Sequence, residues 1–266
     1  MSMQDRCAGD VGDFFKLGLL RWLVSPCPDT QAHRLGVVWY RMPDEYHSLD
    51  GTSIDYLDPT SAVGQNLRPL DPDLYDRLRR MVETGKRSIS ALVSGGALPA
   101  GSVSYEQVLT LAGRAPRDPA VRAERRQRWF DEAVDALDPC SLVFVDPDNG
   151  LQRDDAATCR SRSEKNACLS EVGRFLERGQ SVVAHHHADR PECVADQAMS
   201  RMAEIRDQLG VDPLAAVQAA RGTTRLYIVI PDDRHRSGLE ARLRSLQLSP
   251  WGSELRLHRW SIPLTV

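Results

Sequence analysis

The sequence pairs none of its cysteines by spacing. Cys7, Cys27, Cys140, Cys159, Cys168 and Cys193 contain no C-x-x-C unit and no regular interval, which argues against a structural zinc site and against a secreted disulfide framework. The expectation is reduced thiols in a cytoplasmic protein. No stretch approaches the roughly 20 apolar residues of a membrane span. Residues 1–10 are polar and lack the apolar segment of a signal peptide. Positive charge is also missing in bulk: the formal net charge of −3 gives no global basic field to hold nucleic acid, although a local basic patch stays open. There is no internal repeat and no low-complexity linker. Hydrophobic residues at 41% over 266 positions suit a soluble globular chain.

The most informative stretch runs from Ser141 through Leu142, Val143, Phe144 and Val145 to Asp146, Pro147, Asp148, Asn149, Gly150 and Leu151. An uninterrupted apolar run closed by turn residues reads as a strand buried on both faces. Pro147 removes a ladder donor, so the strand should stop at Asp146, and Gly150 permits a sharp bend. Two carboxylates and an amide would then stand past the carboxyl end of a buried strand, the edge where open α/β sheets bind ligands. The same residues are also common turn formers.

Strand and helix patterns alternate along the chain. Residues 11–24 read as a helix capped by Asp10 or Asp13, with Lys16 alone among apolar neighbours. That lysine is either a snorkelling side chain at the rim of a buried face or a charge aimed into a cleft. Residues 35–40 form a second buried-strand pattern, ending before Pro43, Asp44, Glu45 and His47. Residues 71–84 read as a helix, 88–93 as a strand, 105–112 as a short helix and 119–137 as a long helix. Arg122, Arg125, Arg126 and Arg128 give that long helix a basic face, solvated or phosphate-contacting. Helix 163–177, strand 181–184, helix 191–209, strand 223–230, helix 236–246 and strand 254–262 follow. The fold class expected is α/β: three layers, Rossmann-like, with a mostly parallel central sheet, helices on both faces, and residues 48–115 as an insertion or helical subdomain in one domain spanning 1–266.

If the strands ending at Val145 and Val182 are neighbours joined by one helix, Asp146, Asp148 and Asn149 lie beside His185, His186, His187 and Arg190 on one sheet edge. Alternation along a strand lets at most two of the three histidines face one cleft. Two chemistries fit. A divalent metal held by Asp146, Asp148 and His186, with Arg190 binding phosphate, would serve a hydrolase or nuclease. Alternatively, the Asp-Pro-Asp-Asn loop would hold an amine or base edge by hydrogen bonds. Asp146→Ala is expected to abolish activity at little cost in stability, because a strand-end carboxylate facing a cleft does little packing.

Three segments carry a resemblance. Gly9-Asp10-Val11-Gly12-Asp13-Phe14-Phe15-Lys16-Leu17, Leu142 to Asn149, and Thr223 to Ile230 with the helix and strand after it resemble, in turn, the N-terminal helix, the Asp-Pro-Pro-Tyr strand end and the terminal hairpin of the large-subunit ribosomal RNA adenine-N6 methyltransferases, class I Rossmann-like enzymes. The first two segments together are also similar to a bacterial family of no assigned activity. The methyltransferase resemblance implies S-adenosylmethionine as cofactor and a nucleic-acid or nucleotide substrate. Asp146 would anchor the acceptor amine, Asn149 would orient it, and Lys16 would sit near the acceptor or the cofactor carboxylate. Tyr40, Asp44 and Glu45 would face the cofactor, and His185, His187 and Arg190 the substrate. Asp148 and Asn149 replace the second proline and the aromatic of that motif, and no G-x-G turn follows Tyr40. A third reading is therefore a binding module that kept the fold and lost the cofactor loop.

Overall fold

A computed structural model of the chain describes residues 4–26, 32–42, 51–110, 118–154, 164–188 and 192–260. Helix α1 (Val11–Val24) precedes strand β1 (Leu35–Trp39). Helices α2 (Ala62–Leu67), α3 (Pro72–Glu83) and α4 (Ile89–Ser94) lead to strand β2 (Val103–Tyr105). Then come α5 (Pro119–Ala136), β3 (Leu142–Asp146), β4 (Gly150–Gln152), β5 (Asn166–Cys168), α6 (Leu169–Glu177), β6 (Ser181–His187), α7 (Val194–Leu209), β7 (Ala215–Ala219), β8 (Arg225–Ile230), α8 (Arg236–Leu248) and β9 (Leu255–Arg259).

Seven strands form one sheet in the order β2-β1-β3-β6-β8-β7-β9, and β4 and β5 form a separate parallel pair. The runs around Val37, Val143, Val182 and Ile228 are neighbouring strands, as their shared apolar pattern predicts. The sheet is mixed rather than mostly parallel. β2, β1, β3 and β6 pair in parallel, whereas β8 is antiparallel to both β6 and β7, and β9 is antiparallel to β7. After β1 the chain moves outward to β2. It then returns through α5 to β3, on the other side of β1. The strand order therefore reverses between β1 and β3, and such a reversal leaves a crevice at the carboxyl ends of the two strands.

Strand parity sorts the core. Leu35, Val37, Trp39, Leu142, Phe144, Val183, Tyr227 and Val229 pack with α1, α3 and α8. Their alternates Val38, Tyr40, Val143, Val145, Val182, Ala184, Leu226 and Ile228 pack with α5, α6 and α7. Apolar residues of α2 to α4, among them Leu67, Leu74, Tyr75, Leu78 and Leu92, join the α1 cluster.

Several local expectations are corrected. Residues 89–94 are helical, not extended, because the Ser88 side chain accepts from Ala91 N at 3.0 Å and caps the turn, and Ile89 and Leu92 are buried three positions apart. Residues 103–105 extend the sheet beside β1, and residues 106–110 form no helix, where the pattern predicts a loop to 104 and a short helix over 105–112, whose last two positions lie outside the described residues. The helix expected from 163 begins only at Leu169, because residues 166–168 pair with β4.

Arg126 is not part of a solvated basic face. It is buried, and its guanidinium donates to Glu171 Oε1 at 2.7 Å and Oε2 at 2.9 Å. Glu171 also accepts from Tyr40 Oη and from Cys168 N. Arg126→Met would leave that carboxylate buried without its counter-charge, so we expect a loss of about 3–5 kcal/mol in urea denaturation. Arg126→Met/Glu171→Gln should lose less than the single variant.

Candidate functional site

The N-terminal Gly-Asp-Val-Gly-Asp segment folds into a cap. Asp10 is the N-cap of α1 and accepts from Asp13 N at 3.0 Å, while Asp13 Oδ2 accepts from Gly9 N at 2.8 Å. Gly9 takes a φ of +87°, where other residues are strained. One turn on, Lys16 projects toward the sheet. Its ammonium lies 2.7 Å from Asp13 Oδ1 and 2.8 Å from Asp146 Oδ2, and 4.9 Å from the centroid of the Trp39 ring. Asp146 ends β3 and pairs in register with Trp39 at the end of β1. The pair therefore occupies the β1/β3 reversal.

Parity selects the other members. His185 and Tyr227 are register partners across β6 and β8, as are His187 and Arg225. All four positions fall on the α1 side. Arg225 Nη2 lies 3.3 Å from Asp10 Oδ2 and ties β8 to the helix cap. A Cβ at Gly12 would stand 2.2 Å from Arg225 Cζ, so only glycine admits that guanidinium. Gln4, Cys7, Ala8, Asp10, Gly12, Asp13, Lys16, Asp146, His185, Arg225 and Tyr227 enclose a cavity of about 30 Å³, enough for one water or an amino group.

Burial shapes the charges. It pushes the Asp146 carboxyl up, against the pull of Lys16, to about 6. Burial also raises Asp10, with Arg225 opposing. For Lys16 burial acts downward, but Asp13 and Asp146 outweigh it and hold the ammonium protonated. Burial and the nearby His187 drive His185 well below the usual imidazole value, so it is neutral. His185 Nδ1 lies 2.9 Å from the Pro147 carbonyl, which can only accept. The proton is thus assigned to Nδ1, and Nε2 carries a bare lone pair. That nitrogen is buried and has no hydrogen-bond partner among the described residues.

The crevice brings together Lys16, Asp146 and His185 of the residues singled out in the sequence. His187 packs edge-on against His185, with ring centroids 4.8 Å apart. Asp148 pairs with Lys165 at 3.4 Å, and the Asn149 side-chain amide donates to Asn166 Oδ1 at 3.3 Å, so both serve the loop joining β3 to β5. Tyr40 and His186 project to the α5–α7 side. Tyr40 donates to Glu171 at 2.9 Å, and His186 Nδ1 accepts from Leu151 N at 3.2 Å. Gly150, at φ +122°, makes room for that imidazole, since a Cβ there would meet His186 Nδ1 at 2.2 Å. Asp146, Asp148 and His186 therefore do not converge as a ligand set. Among the described residues no group of three or more His, Cys, Asp or Glu side chains is arranged to hold a metal ion. Asp44, Glu45 and Arg190 lie outside the described residues. Asp146 is 1% exposed, so its removal would strand part of the Lys16 charge, and the expected negligible cost in stability does not hold.

Sequence reading missed Arg225 and Tyr227, which sit inside an ordinary apolar strand pattern, and took Asp10 and Asp13 as helix caps alone. Among the described residues no helix is long and apolar enough to cross a membrane. No protein-family model, curated protein or solved structure matches the chain.

Two measurements probe this arrangement. Gly12→Ala should displace Arg225 and cost about 1–3 kcal/mol in urea denaturation. Burial lowers His186 to about 3. Unfolded chains take up that proton near pH 6.5 while the native state refuses it until about pH 3, so its contribution is present above pH 6.5 and is lost as the pH falls. Between those limits the wild-type protein should lose stability more steeply than His186→Gln. Parallel curves would contradict the burial of that imidazole.

Proposed function

We propose that this protein is an enzyme with a class I methyltransferase-like, Rossmann-like core, acting on an amino nitrogen of a nucleotide or nucleic-acid substrate at the β1/β3 crevice. The observation that carries the reading is the balance of groups lining the cavity. Asp10, Asp13 and Asp146 face two cations, Lys16 and Arg225, and His185 adds a neutral acceptor. A pocket with acceptors in excess favours a nitrogen that brings N–H donors. It disfavours a phosphate, which would add negative charge, and so weighs against the phosphoesterase reading. The Asp146 strand end is consistent with the methyltransferase resemblance, whereas β8 and β9, read as its terminal hairpin, are separated in the sheet by β7.

In this reading the substrate amine donates to Asp146 and to His185 Nε2. Lys16 holds Asp146 in place and keeps the carboxylate ionised in neutral solution, where it accepts a hydrogen bond from the substrate N–H. Asp13 holds Lys16, and Arg225 fixes the cap that carries Asp13.

S-adenosylmethionine, the cofactor the resemblance implies, does not fit the described residues. The Tyr40 hydroxyl is committed to Glu171, and Tyr40, Arg41 and Met42 supply no glycine turn after β1.

The test is calorimetry with adenosine 5′-monophosphate and inosine 5′-monophosphate, which differ at the exocyclic amino position. The amino compound should bind at least tenfold tighter, and Asp146→Asn should erase the preference while the protein keeps a cooperative melt. Equal affinities in the wild type would overturn the amine reading. S-adenosylmethionine should give little heat, whereas a micromolar dissociation constant, about −8 kcal/mol, would restore the cofactor.

A further inference from the structure

A second cavity lies away from the crevice, between α3 and α4. It measures about 270 Å³, and its lining combines apolar Leu78, Met81, Ala91, Leu92 and Ala97 with cationic Arg77, Arg80 and Lys86. This approaches the volume of small-molecule sites, which starts at roughly 300 Å³. Its cations are not equivalent. Arg77 is committed to Asp73 at 2.8 Å and to the Gly95 carbonyl at 2.8 Å. Arg80 and Lys86 are exposed, and neither side chain forms an ion pair or hydrogen bond among the described residues. The surrounding carboxylates are already engaged: Asp73 with Arg21 and Arg77, Asp76 with Arg68, and Glu83 with Arg79. Asp76 also feels the Arg80 charge, but neither Arg80 nor Lys86 has an ion-pair partner of its own among the described residues, and both stand beside an apolar lining.

We propose that this groove binds a phosphate monoester with a small apolar or aromatic body. The body would rest on Leu78, Met81 and Leu92, and the dianionic head would bridge Arg80 and Lys86, matching two charges with two. An isolated cation would suit a carboxylate equally well, but the pair does not. The loop before α1 packs against one side of the groove. A Cβ at Gly9 would stand 2.8 Å from Met81 Cε, and Arg87, just past the groove, donates to the Ala8 and Gly51 carbonyls. Ala8 lines the crevice and Met81 the groove, so Gly9 and its neighbours stand between the two cavities. This site is independent of the reaction proposed for the crevice.

The experiment is calorimetry on the full chain with phenyl phosphate as probe, and with inorganic phosphate, benzoate and benzylamine as comparisons. Phenyl phosphate should bind at least tenfold tighter than each of the three. Arg80→Gln/Lys86→Gln should weaken it at least tenfold, and Ala91→Trp should block it by filling the groove, both with unchanged melting temperature. The proposal is overturned if phenyl phosphate does not bind, if inorganic phosphate or benzoate binds as well, or if either variant binds it like the wild type.

Discussion

The site depends on one buried ammonium. Lys16 sits between Asp13 of its own helix and Asp146 of the sheet, at 2.7 and 2.8 Å. Withdrawing a charge from water costs several kcal/mol per ion, and a single partner in good geometry offsets only part of it. Two carboxylates and the face of Trp39 make the burial tolerable. Each contact then constrains something else. Asp13 must hold its place in the helix cap, which takes Gly9 and Asp10. Asp10 needs Arg225, and Arg225 needs the space that Gly12 leaves. The Gly-Asp-Val-Gly-Asp-x-x-Lys pattern is thus one connected requirement, set by the cost of leaving any of its charges alone.

The alternation of strand side chains decides what that ammonium meets. Trp39, Asp146, His185 and Arg225 come from four strands and share the α1 side of the sheet. A shift of one residue in any strand would exchange His185 for His186 or Asp146 for Val145. The opposite face has its own buried charge system, Arg126 with Glu171 and Tyr40, which joins α5 to α6. The two faces therefore hold separate polar clusters across one apolar sheet. Tyr40 belongs to that second cluster and His186 packs against β4 on the same face, although they adjoin Trp39 and His185 of the crevice in sequence.

Much of this was legible in the residues. The apolar runs identified four adjacent strands, because a strand buried on both faces leaves a continuous pattern. Asp146, Lys16 and the histidine run stood out as polar groups where apolar ones were expected. What could not be read depended on distance. β2, β4 and β5 are only three residues each, too short for a period, and exist because neighbours offer ladder partners. The antiparallel placement of β8 carries no local signal, since its composition matches that of the parallel strands. Which histidine faces the crevice follows from register, a long-range property. Arg126 looked like one of four surface arginines, and only its position against Glu171 takes it into the core.

The Asp10–Arg225 pair has a kinetic side. It joins residues 215 positions apart, and Lys16 and Asp146 are separated by 130. Contacts this remote in sequence form late, after the loop entropy between them has been lost. During synthesis the first helix emerges with only the Asp13–Lys16 pair of its charge network in place, and Asp146 and Arg225 arrive with β3 and β8. The crevice is complete only when β3 and β8 are both in place, so ligand binding there would report on the docking of the eighth strand.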